Sequence, residues 1–381
     1  MRSKGKHLEI ACLSDIHLGH GLVPTSDIIN RLYKALPSNA ESDKLDIIFL
    51  AGDVFDKLLF LPDAPVLDIQ IWIADLFELC HRHNIALRVL EGTPSHDRGQ
   101  GKQFEMIYLT VGYDRDDKFV DFKYVPTLSI EYIELLDINV LYVPDEWDHD
   151  PDITWESVKN LLKDQGLEQV DFAVMHGNFE YHLPDHLKIP CHQSERYLEV
   201  VKHYIFIGHF HTHSVYDRII TQGSFDRLGH GEEEPKGHVR VRVSEDGNHD
   251  RVEFRINHDA TMFVTIDATG MDAAAVINKI KAQDNLPKGS HVRIQCTNDG
   301  DVKNAISTLR EHFPHYTIKL KVVSEEKVVN SDVTGLTAKY EAVEISSSNV
   351  TKLLEEKCIT MGLDTNRIEQ VKALLDRVQA Q

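Results

Sequence analysis

The chain has 381 residues, more than one typical domain, which predicts one large domain with one or two smaller modules. Its five cysteines (Cys12, Cys80, Cys191, Cys296 and Cys358) are scattered with no Cys-x-x-Cys pair, which argues against a disulfide framework or a thiolate zinc site and fits a reducing cytoplasm. A formal net charge of -20 opposes tight non-specific binding to a polyanion unless basic residues cluster locally or a partner supplies them, and the apolar stretch Leu8 to Leu13 is too short for a signal peptide or a membrane span.

From residue 7 to about 245, apolar runs typical of buried strands alternate with helical periodicity, the pattern of a layered α/β domain. Predicted strands are His7 to Ser14, Leu45 to Ala51, Ile85 to Leu90, Ile138 to Val143, Phe172 to Met175 and Tyr204 to Ile207, with helices at Asp27 to Ala35, Leu67 to His83 and Trp155 to Gln165. Alternation over Ser214 to Gln222, His238 to Ser244 and Arg251 to Ile256 predicts antiparallel strands that finish a first domain, residues 1–257. Residues 258–325 read as a small βαβαβ domain: strand Met262 to Ile266, helix Asp272 to Ala282, strand Val292 to Cys296, helix Val302 to His312 and strand Tyr316 to Val323. Residues 326–345 are polar and read as a linker. Residues 346–381 carry two helical stretches, the second with Ile368, Val371, Leu375 and Val378 on one stripe.

Five segments place aspartate or histidine at the end of a strand-like run, where open α/β sheets put their ligands. Asp15 and His17 flank one residue after Ile10 to Leu13, so both side chains can point the same way on an extended strand end. Asp53 follows Ile47-Ile48-Phe49-Leu50-Ala51-Gly52, and its two carboxylate oxygens can bridge two cations, which a histidine cannot. The competing reading is a strand-ending aspartate that caps the next helix, and Asp56 fits that role. His96 and Asp97 close Gly92-Thr93-Pro94-Ser95-His96-Asp97. His176 ends Phe172 to Met175, and His209 and His211 flank one residue after Tyr204 to Ile207. Any one such histidine is more often structural or exposed than a ligand; their joint occurrence with Asp15, His17 and Asp53 points to carboxylate and imidazole donors for a pair of divalent metal ions. His213 continues the alternation as a surface or supporting residue. Phe179 and Tyr181, in the loop with His182, His186 and His192, are ordinary loop residues or aromatics able to stack on bases.

The order Asp-x-His, Gly-Asp-x-x-Asp, His-Asp, His-Gly and Gly-His-x-His resembles the calcineurin-like metallophosphoesterase superfamily. Within it, the passage Gln222-Gly223-Ser224-Phe225-Asp226-Arg227 through Gly237 resembles the SbcD / MRE-eleven family of DNA repair nucleases. Residues 1–245 carry the specific likeness; the rest matches in architecture only. The resemblance implies an α/β fold, a layered αββα metallophosphoesterase core with a small α+β capping domain and C-terminal helices. It implies two manganese ions, with magnesium or another divalent metal as substitutes. Asp15, His17 and His211 would hold the first, Asp53 would bridge, and His176 and His209 would hold the second. His96 would stand beside the scissile phosphate and Asp97 would orient it. Ser224 and Arg227 would contact DNA or brace the site.

One motif departs from the family. Where Gly-Asn-His-Asp is usual, this chain has two extra residues and no asparagine, and Ser95 takes the asparagine register as a poorer metal ligand. A weaker second site is expected; bacteriophage members carry a similar variant. The function implied is manganese-dependent exonuclease action on duplex ends with endonuclease action on single strands or hairpins, in the cytoplasm of a bacterium or phage-infected host. Partners implied are DNA, an SMC-like ABC ATPase of the SbcC / RAD-fifty type docked on residues 346–381, and a second copy of the chain through helices near residues 67–111; no membrane is expected. Lys236, Arg240 and Arg242 offer a basic face, or simply a solvated strand. Two alternatives stand: a phosphodiesterase or phosphatase acting on a small nucleotide or phosphoprotein, and a catalytically degenerate scaffold, supported only by the altered Thr93 to Ser95 segment.

Overall fold

The computed structural model describes residues 7–323, apart from residues 40, 61–62, 146–147, 185–188, 245–248, 284–285 and 298–300. The expected linker at 326–345 and the helices at 346–381 lie outside the described residues. The chain divides after Val322 into two units, and every assigned element belongs to the first.

The elements in chain order are β1 (His7–Leu13), α1 (Thr25–Ala35), β2 (Ile47–Ala51), α2 (Pro65–His83), β3 (Ala86–Leu90), α3 (Lys102–Val111), β4 (Phe122–Val125), β5 (Ser129–Ile133) and β6 (Ile138–Val143). Then come α4 (Pro151–Asp164), β7 (Val170–His176), α5 (Ser194–Val200), β8 (Val201–Gly208), β9 (Ser214–Tyr216), β10 (Ile219–Thr221), β11 (Gly237–Ser244) and β12 (Arg251–Ile256). The last are β13 (Phe263–Asp267), α6 (Ala273–Lys281), β14 (His291–Cys296), α7 (Asp301–Asn304), α8 (Ile306–His312) and β15 (Thr317–Val322).

Two six-stranded sheets, ordered β12-β11-β1-β2-β3-β4 and β5-β6-β7-β8-β10-β9, form a mixed α/β body. β1 to β4 run parallel, as do β6, β7, β8 and β10; β11 and β12 in the first sheet, and β5 and β9 at the two edges of the second, join by antiparallel pairing. Strand alternation sorts the side chains into layers. Ile10, Cys12, Ile47 and Phe49 pack between the sheets against Tyr142, Phe172, Val174 and Phe206. The opposite faces, with Ala11, Leu13, Ile48 and Leu50 on one sheet and Leu141, Val143, Ile205 and Ile207 on the other, lie under α1 to α3 and under Val158, Leu162 and Tyr197 of α4 and α5. Covering both faces explains why β2 reads Ile-Ile-Phe-Leu-Ala and is buried throughout.

Local chemistry sets the element ends. α2 begins with Pro65 in its first turn and stops at Asn84, whose φ of 52° is left-handed. α4 is capped by the Asp150 carboxylate, which accepts the Asp152 N–H. The expected strand Ser214 to Gln222 is instead the hairpin β9–β10, because Asp217 turns the chain at φ 51°. A separate core of Ile266, Val276, Val292, Ile294 and Leu309 holds the parallel sheet β13-β14-β15. Arg31 of α1 ties it to the large body by pairing with Asp226 and donating to Thr261.

Candidate metal centre

Parallel strands β1, β2, β7 and β8 all end at one edge, and there the backbone bends sharply. Asp15, His17, Asp53 and His209 take left-handed φ values of 49°, 55°, 49° and 90°. For residues with a Cβ this conformation is strained, and such strain concentrates at functional sites. The bends are locked together: Asp15 N donates to Gly52 O at 3.1 Å, and Ile16 N and His17 N donate to Asp53 O at 2.9 and 3.1 Å. Glycines make the approach possible. A Cβ on Gly52, at φ 85°, would sit 2.3 Å from His176 Nδ1, and one on Gly92 would sit 2.1 Å from Asp53 N.

The side chains thus gathered form two ligand triads, Asp15-His17-His211 and Asp53-His176-His209, with His17-Asp53-His96 overlapping both; within each, the donor atoms lie within 4.8 Å of one another. His211 Nε2 is 3.7 Å from Asp15 Oδ1, His17 Nε2 is 3.9 Å from Asp53 Oδ2, and His176 Nε2 is 3.3 Å from the same oxygen. Asp15, His17, Asp53 and His176 are buried. Neither ring nitrogen of His17 has an aligned hydrogen-bond partner. Buried polar atoms are seldom left without an aligned partner, and the carboxylate and imidazole donors gathered around this ring fit a divalent cation.

Surrounding groups fix how each donor points. His176 Nδ1 donates to Ala51 O at 2.7 Å, which fixes the ring with Nε2 facing Asp53; burial lowers the His176 pKa, but Asp53 outweighs it and raises it well above the ordinary value. Burial pushes the Asp53 carboxyl upward, but His176 and His17 outweigh it and hold the group well below the usual carboxylate range. His211 Nδ1 contacts Glu232 Oε1 at 3.0 Å; burial lowers the His211 pKa, but Glu232 and Asp15 together raise it. Burial likewise opposes ionisation of Glu232, yet His211 and Lys236 bring its carboxyl down to about 2. Lys236, offered by the sequence as part of a basic face, is instead buried, with Nζ 3.1 Å from Glu232 and 2.9 Å from His211 O. Arg240 is half-buried and donates to Ala35 O, and Arg242 pairs with Glu9.

The segment after β3 departs most from expectation. Ser95 is exposed, and Thr93 reaches the cluster in its place: a turn begins at Thr93, whose carbonyl accepts the N–H groups of His96 and Asp97 at 2.9 and 3.1 Å, and it carries Ser95 outward. Asp97 does not orient His96. Its carboxylate accepts the N–H groups of Phe55 at 2.9 Å and Gly92 at 2.7 Å, while His96 Nδ1 contacts Asp56 O at 2.7 Å. Burial, with Asp53 nearby, raises the Asp97 carboxyl to about 8. His96 stands edge-on to His17, ring centres 4.9 Å apart, at the open side of the site.

Ser224 is fully buried, its N–H donating to His211 O at 3.1 Å, and the next residue, Phe225, donates to Asp15 O at 3.2 Å. That segment braces the ligands from beneath and Ser224 cannot meet a macromolecule. Arg227 is half-buried, with Nη2 3.4 Å from Glu233 O. Phe179 belongs to the core under the second sheet and is no stacking platform. His213 stacks on Phe254 at 4.0 Å.

Sequence reasoning missed Thr93, Asp145 and Glu232, and left Asp56 as a cap. Asp145 Oδ2 lies 3.7 Å from His209 Nδ1, and Asp56 Oδ1 lies 3.3 Å from His17 Nδ1. Asp145 follows β6 just as Asp53 follows β2, so the strand-end rule applied to every strand would have found it.

No protein-family model matches the chain, and no curated protein matches it. Among solved structures, a crystal structure of TT1561 of Thermus thermophilus is 10% identical over 65% of this chain and 98% of that one, with a TM-score of 0.35. A second crystal structure is 11% identical over 65% of this chain and 100% of that one, with a TM-score of 0.38. Among the described residues no helix is long and apolar enough to cross a membrane. What stands is a mixed α/β chain whose buried His/Asp group can hold a divalent metal ion.

Proposed function

We propose that this chain is a calcineurin-like metallophosphoesterase of the SbcD / MRE-eleven type, a DNA nuclease that uses two manganese ions. The observation that carries the reading is the pair of ligand triads meeting at Asp53, whose carboxylate is set between both groups of histidines. Asp15, His17 and His211 would hold one ion, His176 and His209 the other, and Asp53 both. Cations bound there supply positive charge to the scissile phosphate and lower the pKa of an attacking water.

The chain's own groups do the rest. His96 keeps its Nδ1 proton against Asp56 O; in its imidazolium form Nε2 would hand a second proton to the departing sugar oxygen, leaving the neutral ring with its proton on Nδ1. Asp97 clamps the Gly92 and Phe55 backbone, so that the loop bearing His96 and the turn bearing Asp53 hold one spacing. The acidic balance of the chain, the burial of Lys236 and the pairing of Arg242 with Glu9 support a reading in which DNA binding is shared with an ABC ATPase of the SbcC type. A homodimer in the cytoplasm of a bacterium or phage-infected host completes the proposal.

The test is cleavage of labelled duplex, single-stranded and hairpin DNA by the purified chain with manganese, with and without a co-encoded ATPase, beside the Asp53→Asn variant. Metal-dependent cleavage lost in the variant is expected. Hydrolysis of a small phosphodiester with every DNA left intact would favour the small-nucleotide alternative, and inertness toward both would favour a scaffold.

A further inference from the structure

The loop after β3 brings a hydroxyl into the second triad. Thr93 Oγ1 lies 3.1 Å from Asp53 Oδ2, 3.4 Å from His176 Nε2 and 3.3 Å from His209 Nδ1, close to all three of its donors. Three constraints hold it there. Its own N–H donates to Asp53 Oδ1 at 2.6 Å; Gly92 lets the backbone press against Asp53; and Pro94 disfavours a helical backbone at Thr93, whose β-branch already limits its rotamers.

A threonine hydroxyl oxygen has two lone pairs and can accept as well as donate. Here that oxygen meets an Asp53 carboxylate oxygen and one ring nitrogen each of His176 and His209 at separations of 3.1 to 3.4 Å, so four donor atoms face one point. Resting on the two-metal reading above, the geometry points to Thr93 as the fourth protein donor to the second ion, through Oγ1. Ser95, exposed on the far side of the turn, takes no part. With one carboxylate in this set against Asp15 and Asp53 around the first, the second ion binds after the first and more weakly.

Calorimetric titration of the metal-free full chain with manganese(II), with electron paramagnetic resonance of the loaded protein, tests the assignment without reference to turnover. Wild type should take up two ions per chain and give a spin-coupled signal. Thr93→Val keeps the shape and removes the hydroxyl; it should bind the first ion unchanged and the second at least about tenfold more weakly, with uncoupled manganese in place of the coupled signal. Thr93→Ser should bind as wild type, and so should Ser95→Ala. Far-UV circular dichroism of the metal-free variants checks folding, and Thr93→Ala replaces the valine variant if that one does not fold. Wild-type affinity for the second ion in a folded variant lacking the hydroxyl overturns the role of Thr93. Uptake of fewer than two ions by wild type overturns the two-metal reading itself, a different and separately visible failure.

Discussion

The carboxylate of Asp15 accepts the backbone N–H of His209 through both oxygens, at 3.1 and 3.0 Å, although the two residues are 194 positions apart. Asp15 ends a strand of one sheet and His209 a strand of the other, so a single bifurcated hydrogen bond stitches the sheets together at the ligand edge. It also aims the carboxylate, leaving lone pairs free toward His17 and His211.

Asp15→Ala should therefore abolish first-site metal uptake and leave the His209 N–H without its acceptor. A ligand that binds only the native state stabilises it by mass action, so wild-type melting temperature should climb with manganese concentration. Differential scanning fluorimetry across a manganese series should find that climb largely absent in the variant; an unchanged metal response would remove Asp15 from the ligand set.

His96→Ala separates chemistry from metal binding. Both triads proposed to hold ions are intact without it, so metal stoichiometry should stay at the wild-type level. Loss of a positioned proton donor should lower turnover by roughly 10²–10⁴-fold. Phosphodiester hydrolysis measured beside manganese content decides the matter, and joint loss of metal and rate would make His96 a ligand.

Arg88 carries a large predicted stability effect away from the site. It sits in the middle of β3, 3% exposed, and its guanidinium donates to Asp121 Oδ1 at 2.8 Å, Glu131 Oε2 at 3.0 Å and Asp121 O at 2.8 Å. Arg88→Ala removes the guanidinium from Asp121 and leaves Glu131 with only the Tyr142 hydroxyl and Lys123, and should cost about 3 kcal/mol in urea unfolding. Replacing Arg88 and Glu131 together with Met and Leu should recover much of that loss.

Two histidines held neutral by burial should each remove stability from the fold in acid. Burial lowers the pKa of His182 to about 4, and burial with Arg240 and Arg255 beside it lowers that of His238 to about 3. Both depart downward from the unfolded value near 6.5, so between that value and the folded one the unfolded chain takes up protons that the folded chain refuses. Stability contributed by these rings is complete above pH 6.5 and falls as pH drops toward 4, by roughly 3 kcal/mol for each. The gap between the urea midpoints of wild type and His238→Phe, followed from pH 7.5 to 4, isolates the ring from groups such as Asp97 that shift the other way; it should move in favour of the variant as pH falls, and a constant gap would show that His238 charges freely in the folded state.

Much of this was legible in the sequence because it follows from the period of the strands. Runs such as Ile47 to Ala51 announce a strand buried on both faces, and a polar residue directly after such a run lies at the sheet edge, which located Asp15, Asp53, His176 and His209. Turns after that edge were not legible. Counting back from His96 favoured Ser95, whereas the backbone turn that starts at Thr93 sends Ser95 outward and keeps the nearer hydroxyl in. Asp97 was misread for a related reason: proximity in sequence to His96 says nothing about its carboxylate, which faces Gly92 and Phe55. Arg88 was hidden inside an apolar strand because its partners, Asp121 and Glu131, come from elements that the periodicity did not single out.

The ligands are divided between the sheets: Asp15, His17 and Asp53 follow β1 and β2, and His176, His209 and His211 end or follow β7 and β8. Neither half of the chain can complete a triad alone, since His211 must cross to Asp15 and Asp53 to His176. A cation can close the seam only after the two layers have docked. Interactions made that late in assembly act on the rate of escape from the native state and leave the rate of reaching it nearly untouched. A divalent cation held there would thus act as a latch: its supply, tested with manganese, should set how long a folded molecule survives, while molecules without metal fold as fast and come apart sooner.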